Sequence, residues 1–179
     1  VPQKGEKLKL KIWRDKKEID VAVPMKVRGE DSNIGNLYDA PPRYFVFAGL
    51  VFTPLTLDYV KTFGRNWRGV ANSEMIYELY YRRNETPAKV RKEPVVLAPT
   101  LAHAVNADMR LASRAMIDTI NGKRIESLED VIAAFEDNKK PQHMIQFISG
   151  TVECLDNTRA ELANPEILST YGIQTDRRL

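Results

Sequence analysis

The sequence predicts an α+β domain, and three stretches carry this prediction. Residues 6 to 25 alternate apolar and polar side chains on both sides of a polar turn, which is typical of a β-hairpin. Residues 44 to 52 are the most apolar stretch of the chain, and their aromatic and β-branched side chains indicate a buried strand. Residues 127 to 138 combine a capping box with apolar side chains at helical spacing, which predicts a helix.

The composition excludes several classes of protein. The chain has 27 lysines and arginines against 24 acidic residues, and a net charge of +3 is too small to indicate a nucleic-acid partner. The single cysteine, Cys154, cannot form an internal disulfide or a Cys-rich zinc site, and two histidines leave little room for a His-based metal cluster. No run approaches the ~18 apolar residues of a membrane-spanning helix. The chain begins with Val1 rather than Met, so we expect a piece of a longer protein.

The elements of the first half follow in chain order. The hairpin should bury one apolar face, expose its lysines and end at Pro24. Residues 28–42 are polar and turn-rich, which predicts a linker and assigns residues 1–27 to a preceding domain. After the apolar strand, residues 56 to 92 have a helical character, with Thr56 as one suitable helix cap.

The second half alternates short strands with helices. Strands are predicted at residues 94–98, 115–120, 144–148 and 151–155. Asn121-Gly122 is a strong signal for a tight turn. The capping box that starts at Ser127 opens the helix to about residue 138. Asn164-Pro165 predicts the start of a terminal helix, with the asparagine as N-cap and the proline in the first turn.

No pattern in the sequence predicts catalysis, a metal or a cofactor. Ser149 stands beside a glycine, but at a predicted hairpin tip and without a histidine partner pattern. His103 and His143 are predicted at the surface, and Cys154, which alternates with Val152, is predicted in the core. Phosphate-loop, dinucleotide-binding and metal-ligand spacings are absent from the sequence. We therefore predict that this chain has no catalytic residues of its own and needs no metal or cofactor.

One segment, Gly49-Leu50-Val51-Phe52, has two interpretations. A glycine before a hydrophobic strand allows backbone N–H groups to point into a cavity, which forms a nest suited to a carboxylate. If that strand lies beside the helix after Ser127, an extended peptide can pair with the strand in the groove between them. The alternative, favoured when these four residues are taken alone, is a glycine in an ordinary buried strand.

The same four residues resemble the carboxylate-binding loop of PDZ domains, and longer stretches resemble, in matching order, the HtrA/Deg family of serine proteases. Residues 5–18 are similar to the closing hairpin of a first PDZ domain, and residues 40–55 to the opening of a second. The stretch Ile120-Asn121-Gly122-Lys123-Arg124-Ile125, followed by Leu128 and its helix, resembles a further block of the family. Residues 165–173 resemble its C-terminal tail.

The resemblance implies a domain organisation. Residues 1–27 would close a preceding PDZ domain, and 28–42 would be the linker. Residues 43–157 would form a PDZ-like, partly open β-barrel or sandwich capped by helices, with a helical insertion at about 56–92. Residues 158–179 would add a C-terminal helix and tail. The trypsin-like catalytic domain of the family would lie upstream of this chain.

The resemblance also implies a binding site and its partners. In this fold the first groove strand follows the carboxylate loop, and the implied peptide-binding residues are Gly49, Leu50, Val51, Phe52, Thr53, Leu128 and Ile132. The partners would be peptide segments or protein C-termini, or other subunits or domains of the same protease, and not nucleic acid. The family most often implies a bacterial periplasmic or envelope location, although the sequence itself leaves the compartment unknown.

Two features of the sequence favour a different use of the same fold. Pro54 has no N–H group and follows Phe52 by only two residues, so a peptide would find a short pairing edge. The stretch from 58 to 92 is longer than a minimal PDZ connection, and its helices would be able to cover the groove. The alternative function is therefore an assembly domain whose groove is occluded.

Overall fold

The computed structural model describes residues 6–24, 40–109 and 114–179. The predicted N-terminal hairpin is present: β1 (Lys7–Arg14) pairs antiparallel with β2 (Lys17–Pro24) along their whole length. Its apolar face is not buried, because Leu8, Leu10, Ile12, Ile19 and Val23 each remain 36% to 43% exposed. The predicted linker, 28–42, lies outside the described residues except for 40–42.

The rest of the described chain contains eight further strands and six helices. The strands are β3 (Tyr44–Phe47), β4 (Leu50–Pro54), β5 (Val95–Leu97), β6 (Ala115–Ile120), β7 (Lys123–Arg124), β8 (Gln142–Phe147), β9 (Val152–Asp156) and β10 (Arg177–Arg178). The helices are α1 (Leu57–Lys61), α2 (Trp67–Val70), α3 (Ser73–Tyr80), α4 (Arg82–Glu85), α5 (Leu128–Glu136) and α6 (Asn157–Thr170), with a 3₁₀ turn at Pro87–Lys89. The mixture confirms the predicted α+β class.

These eight strands form one antiparallel sheet. Their order is β10-β3-β4-β5-β6-β8-β9, and β7 pairs with β6 beside this path. The sheet does not close into a barrel, since β10 and β9 stand at its two ends among the described residues. This arrangement agrees with the predicted partly open, PDZ-like architecture.

The sheet separates two apolar clusters, because successive side chains of a strand point to opposite faces. Leu97 and Ile117 point to the face that α5 covers, where Phe135 joins their cluster. Val96 and Met116 point to the opposite face, where they pack against the buried side chains of α2 and α3. The helices α2 and α3, between β4 and β5, therefore pack on the side of the sheet opposite to α5.

Local signals in the sequence set several element boundaries as predicted. Asn121 and Gly122 have φ values of 55° and 82°, and they form the tight turn between β6 and β7. The Ser127 hydroxyl accepts a hydrogen bond from the Asp130 backbone N–H at 3.4 Å and so caps α5. The helix ends at Glu136, two residues before the predicted end.

The start of the terminal helix was predicted wrongly. Helix α6 begins at Asn157, where the Asp156 carboxylate accepts a hydrogen bond from the Arg159 N–H at 2.7 Å, and Pro165 lies inside the helix. A proline in a helix interior removes one hydrogen bond and disfavours the helix. Here the helix continues because Ala160, Ala163 and Ile167 are buried along one face.

The predicted surface position of His143 is also wrong, since the residue is fully buried. Its Nδ1 faces the side-chain NH₂ groups of Asn121 at 3.2 Å and Asn138 at 3.0 Å, and its Nε2 lies 2.7 Å from the Asn157 Oδ1. Two donors at Nδ1 require that nitrogen to accept, so Nε2 carries the proton and donates to Asn157. Burial lowers the pKa of His143, although the Asn157 hydrogen bond and Glu161 act in the opposite direction.

The core position predicted for Cys154 is wrong as well. The side chain lies in β9 on the outer, exposed face of the sheet, opposite Met144 of β8. Leu155, the next residue, is the one that points into the core. The alternation that the sequence shows is therefore real, but the inward face belongs to the other set of side chains.

Candidate functional site

The strand that the sequence singles out, β4, is hydrogen-bonded along both edges. On one side Leu50, Val51 and Phe52 face Phe47, Val46 and Phe45 of β3. On the other side, Phe52, Thr53 and Pro54 face the three residues of β5. A peptide can therefore add to β4 only after a neighbouring strand has been displaced.

The glycine of the segment lies in a two-residue turn between β3 and β4. Ala48 and Gly49 have φ values of 50° and 82°, which places both in the left-handed region. The Ala48 N–H donates to the Asn164 side-chain oxygen at 2.9 Å, and the Ala48 carbonyl accepts from the Asn106 amide at 2.9 Å. The Gly49 carbonyl accepts from the Leu101 N–H at 2.8 Å. These groups of the turn are thus bonded within the chain.

The turn is also closely packed around Gly49. A Cβ atom at this position would lie 2.4 Å from the Leu101 carbonyl oxygen and 2.5 Å from the Asn106 side-chain nitrogen. Real Cβ atoms do not approach so closely. Glycine is therefore required here by the approach of the 101–106 loop as well as by the backbone conformation.

Phenylalanine side chains fill the space between β4 and α5. The Phe135 ring centroid lies 4.8 Å from that of Phe47, 5.4 Å from Phe52 and 6.1 Å from Phe45. Leu128 is 0% exposed and Ile132 is 6% exposed, and both belong to the same apolar cluster. Four of the predicted site residues thus lie together in the core, namely Leu50, Phe52, Leu128 and Ile132, whereas Val51 and Thr53 are half-buried.

An ionic network lies at the far end of this region, where α5 begins. The Arg43 guanidinium contacts the Glu93 carboxylate and donates to the Glu129 carboxylate at 2.6 Å. The other oxygen of Glu93 accepts from the Leu128 N–H at 3.1 Å. Partial burial opposes ionisation of Glu129, but backbone and Ser127 hydrogen bonds and the charge of Arg43 outweigh it and lower the pKa of this carboxyl.

Comparison with known proteins identifies the fold that carries these features. A family model described as "PDZ domain" matches residues 34–178. The chain belongs to the PDZ domain family. A PDZ domain is a peptide-binding module and is not itself catalytic, so the matched region is a binding domain.

One curated relative extends the comparison to a protease. The chain is 21% identical to "Putative protease Do-like 11, mitochondrial" of Arabidopsis thaliana over 171 residues. The alignment covers 96% of this chain and 25% of that protein, so the chain spans about a quarter of the length of this relative. Together with the PDZ match, the similarity confirms the resemblance to the PDZ region of the HtrA/Deg family.

The structure brings all seven predicted site residues of this PDZ domain together. Five follow one another through the turn and β4, and the other two lie on the first turns of α5, which packs on β3 and β4. Their use as a peptide-binding site remains a prediction. Sequence reasoning missed Asn106 and Asn164, which bond the turn, and Arg43, whose carbonyl accepts from the Thr53 hydroxyl of β4 at 2.9 Å. No local pattern marks these contacts, because most of the partners lie far away along the chain.

Two further features of the described residues bear on function. None of the helices in this part of the chain is long and apolar enough to cross a membrane. Within the same residues, groups of three or more His, Cys, Asp or Glu side chains suited to a metal ion are absent.

Proposed function

We propose that this PDZ domain is a regulatory interaction module of an HtrA/Deg-type serine protease, and that it contacts neighbouring subunits or domains of that protease. The observation that supports the proposal is the pairing of β4 along both edges. Strand addition in PDZ domains needs an unpaired strand edge. The alternative interpretation of the sequence, an assembly domain with an occluded groove, agrees with this geometry better than capture of peptides at β4.

The packing around β4 gives the proposal its energetic basis. Removing β3 would expose Phe45, which is 2% exposed, and would separate the Phe47 and Phe135 rings. Burying a phenylalanine side chain is worth about 1.5–3 kcal/mol, so this displacement would oppose binding by several kcal/mol. A short free peptide gains little beyond the hydrogen bonds that β3 already makes.

The domain organisation is part of the same proposal. We assign residues 1–27 to the end of a preceding domain, 28–42 to the linker, 43–157 to the PDZ-like domain and 158–179 to its C-terminal helix and tail. The exposed apolar face of the hairpin supports this division, since such a face calls for a partner surface. The family match supports it too, because it begins at residue 34.

Nuclear magnetic resonance titration of the ¹⁵N-labelled chain with a library of C-terminal peptides tests the occluded groove. We expect the backbone amides of residues 50–53 and 128–132 to keep their chemical shifts at millimolar peptide. A peptide that moves both sets of signals in a saturable way would overturn the proposal and restore the peptide-capture function at β4.

Sedimentation velocity tests the assembly role in the parent protease. We expect removal of residues 34–178 to lower its oligomeric state or to release a bound domain, while the remaining protein keeps its fold by circular dichroism. Unchanged sedimentation after this removal would contradict an assembly role.

A further inference from the structure

The outer edge of β3 is covered by a segment of the same chain. This segment, residues 173–178, is called the strap here. The Val46 N–H of β3 donates to the Asp176 carbonyl of the strap at 2.7 Å. Arg177 and Arg178 form β10 and lie opposite Phe45 and Tyr44 in antiparallel register. The strap thus occupies the sheet edge as an added strand.

The strap is thinly attached compared with the strand beneath it. None of the residues from 171 to 179 is buried, whereas Phe45 and Val46 are each 2% exposed. The paired part of the strap is only two residues long. Segments with few buried contacts open locally at a small fraction of the global free energy of unfolding. The β3 edge can therefore lose its cover while the domain stays folded.

Side chains around the β3 edge make both charged and polar contacts with the strap. The Arg177 guanidinium lies 2.8 Å from the Glu136 carboxylate of α5 and 5.3 Å above the Phe45 ring. The Tyr44 hydroxyl donates to the Thr175 carbonyl at 3.1 Å. An ion pair, a cation–π contact and main-chain hydrogen bonds are the elements by which a sheet edge selects an extended peptide.

The strap also leaves space unfilled beside the β3 edge. A cavity of about 440 Å³ lies between the strap and the outer face of β3 and β4. Val46, Val51 and Leu101 contribute apolar side chains to its wall, and Ile173 and Thr175 border it from the strap. An extended segment with a larger apolar side chain at this place would bury more surface than the strap does.

We propose that the β3 edge is a strand-addition site for extended protein segments that carry an arginine opposite Glu136, and that the strap is its intramolecular competitor. The site lies one strand away from β4, and the inference rests on the proposed function only in treating the domain as an interaction module. A neighbouring protein would add its strand to the outer edge of β3. Such binding requires the strap to detach from β3.

Hydrogen exchange of the full chain tests whether the strap opens locally. The Val46 amide donates to the strap, so its exchange rate reports detachment. We expect Arg177→Ala to accelerate this exchange about threefold to tenfold, in line with loss of the exposed ion pairs with Glu136 and Asp176 and of a cation–π contact. Arg159→Ala on α6 removes the same charge away from the strap, and this control should leave the Val46 rate unchanged.

Binding in trans tests the site itself. The probe is a synthetic peptide with the sequence of residues 173–179, titrated into the Arg177→Ala chain and followed by nuclear magnetic resonance. We expect saturable shifts at residues 44–46 and 136, protection of the Val46 amide, and binding at least about threefold tighter than to the unaltered chain. A peptide with alanine at the position of Arg177 should bind more weakly by a similar factor.

Charge reversal gives a second test that does not depend on a single variant. A Glu136→Arg chain should prefer a peptide with glutamate at the position of Arg177 over the natural sequence. Equal Val46 exchange in the Arg177→Ala and unaltered chains, or absence of saturable binding to the Arg177→Ala chain, would overturn the inference. Shifts confined to residues 50–53 and 128–132 would overturn the proposed function instead, so the two failures are distinguishable.

Discussion

The α5–β4 region and the β3 edge belong to the same sheet, but different forces hold them. Between α5 and β4, phenylalanine rings pack at centroid distances of 4.8 to 6.1 Å and every predicted groove residue on α5 is buried. At the β3 edge, the cover consists of residues none of which is buried. Core packing therefore holds the α5–β4 region, which the family resemblance identifies as the peptide site. Only surface contacts hold the strap on the outer edge of β3.

The difference shows that the position of a binding strand and its accessibility are separate properties. The sequence of a PDZ domain indicates which strand follows the glycine turn. Whether that strand has an unpaired edge depends on its neighbours, and here β3 turns back tightly at Ala48-Gly49 and takes the place.

Removing the ring at the centre of the α5–β4 region should have the largest effect. We expect Phe135→Ala to lower the free energy of unfolding by about 3–5 kcal/mol, because the ring is 4% exposed and its loss leaves a cavity. Urea denaturation followed by circular dichroism measures this change. Leu162→Ala, at a side chain 76% exposed on α6, should change stability by less than about 0.5 kcal/mol. A cost below about 1 kcal/mol for Phe135→Ala would show that α5 does not pack as described.

A side chain at Gly49 should destabilise the fold by an amount that exceeds the backbone effect. We expect Gly49→Ala to cost about 3–4 kcal/mol, since its Cβ would meet the Leu101 carbonyl at 2.4 Å and φ is +82°. Gly150→Ala is the matched control, because φ is +88° there and nothing lies within 4 Å of the added Cβ. The control should cost about 1–2 kcal/mol.

The difference between these two glycine variants isolates the close approach at the turn. Equal costs would contradict the packing of the 101–106 loop on Gly49. A Gly49 variant that loses binding would therefore indicate a distorted turn first. Such a loss would not by itself identify a contact to a ligand carboxylate.

Acid should weaken the region around α5 through His143. Burial lowers the pKa of this histidine below its ordinary value of 6.5. The unfolded chain therefore takes up a proton as the pH falls below that value, and the folded chain does so only at lower pH. Stability should be complete above about pH 7 and decrease as the pH falls below 6.5, with a slope of at most about 1.4 kcal/mol per pH unit.

Chemical denaturation at several pH values measures this slope. His143→Gln keeps a side chain that donates and accepts hydrogen bonds but cannot titrate, so its stability should be lower throughout and flatter over the same pH range. A slope that is equal in both chains would assign the pH dependence to groups other than His143.

The features that sequence predicted well are those with local causes. The hairpin turn, the Asn121-Gly122 turn and the Ser127 cap each depend on residues within a few positions of one another, and the structure contains all three. The predicted site residues also lie together, because five are consecutive and α5 packs on their strand.

The features that sequence did not reveal depend on contacts between distant residues. Asn106 bonds Ala48 from 58 residues away, and Asn164 bonds it from 116 residues away. The same remoteness explains the error at Asn164-Pro165, whose pattern fits a helix start although burial of the flanking side chains carries the helix through it. Alternation alone could not tell which face of β9 is buried, which is why Cys154 was misplaced.

The smallest predicted effect concerns the attachment of the strap. The Tyr171 hydroxyl, just before the strap, donates to the Ala102 carbonyl at 2.9 Å at the surface. Tyr171→Phe should change the free energy of unfolding by less than about 0.5 kcal/mol, because an exposed hydrogen bond is replaced by one to water. The same variant should accelerate exchange of the Val46 amide about twofold, since a weaker anchor lets the strap open more often.

Tyr81→Phe, at a side chain 52% exposed outside the strap, should alter neither quantity. Acceleration without a loss of global stability would show that the edge of β3 opens independently of the core, and equal behaviour of both variants would show that it does not.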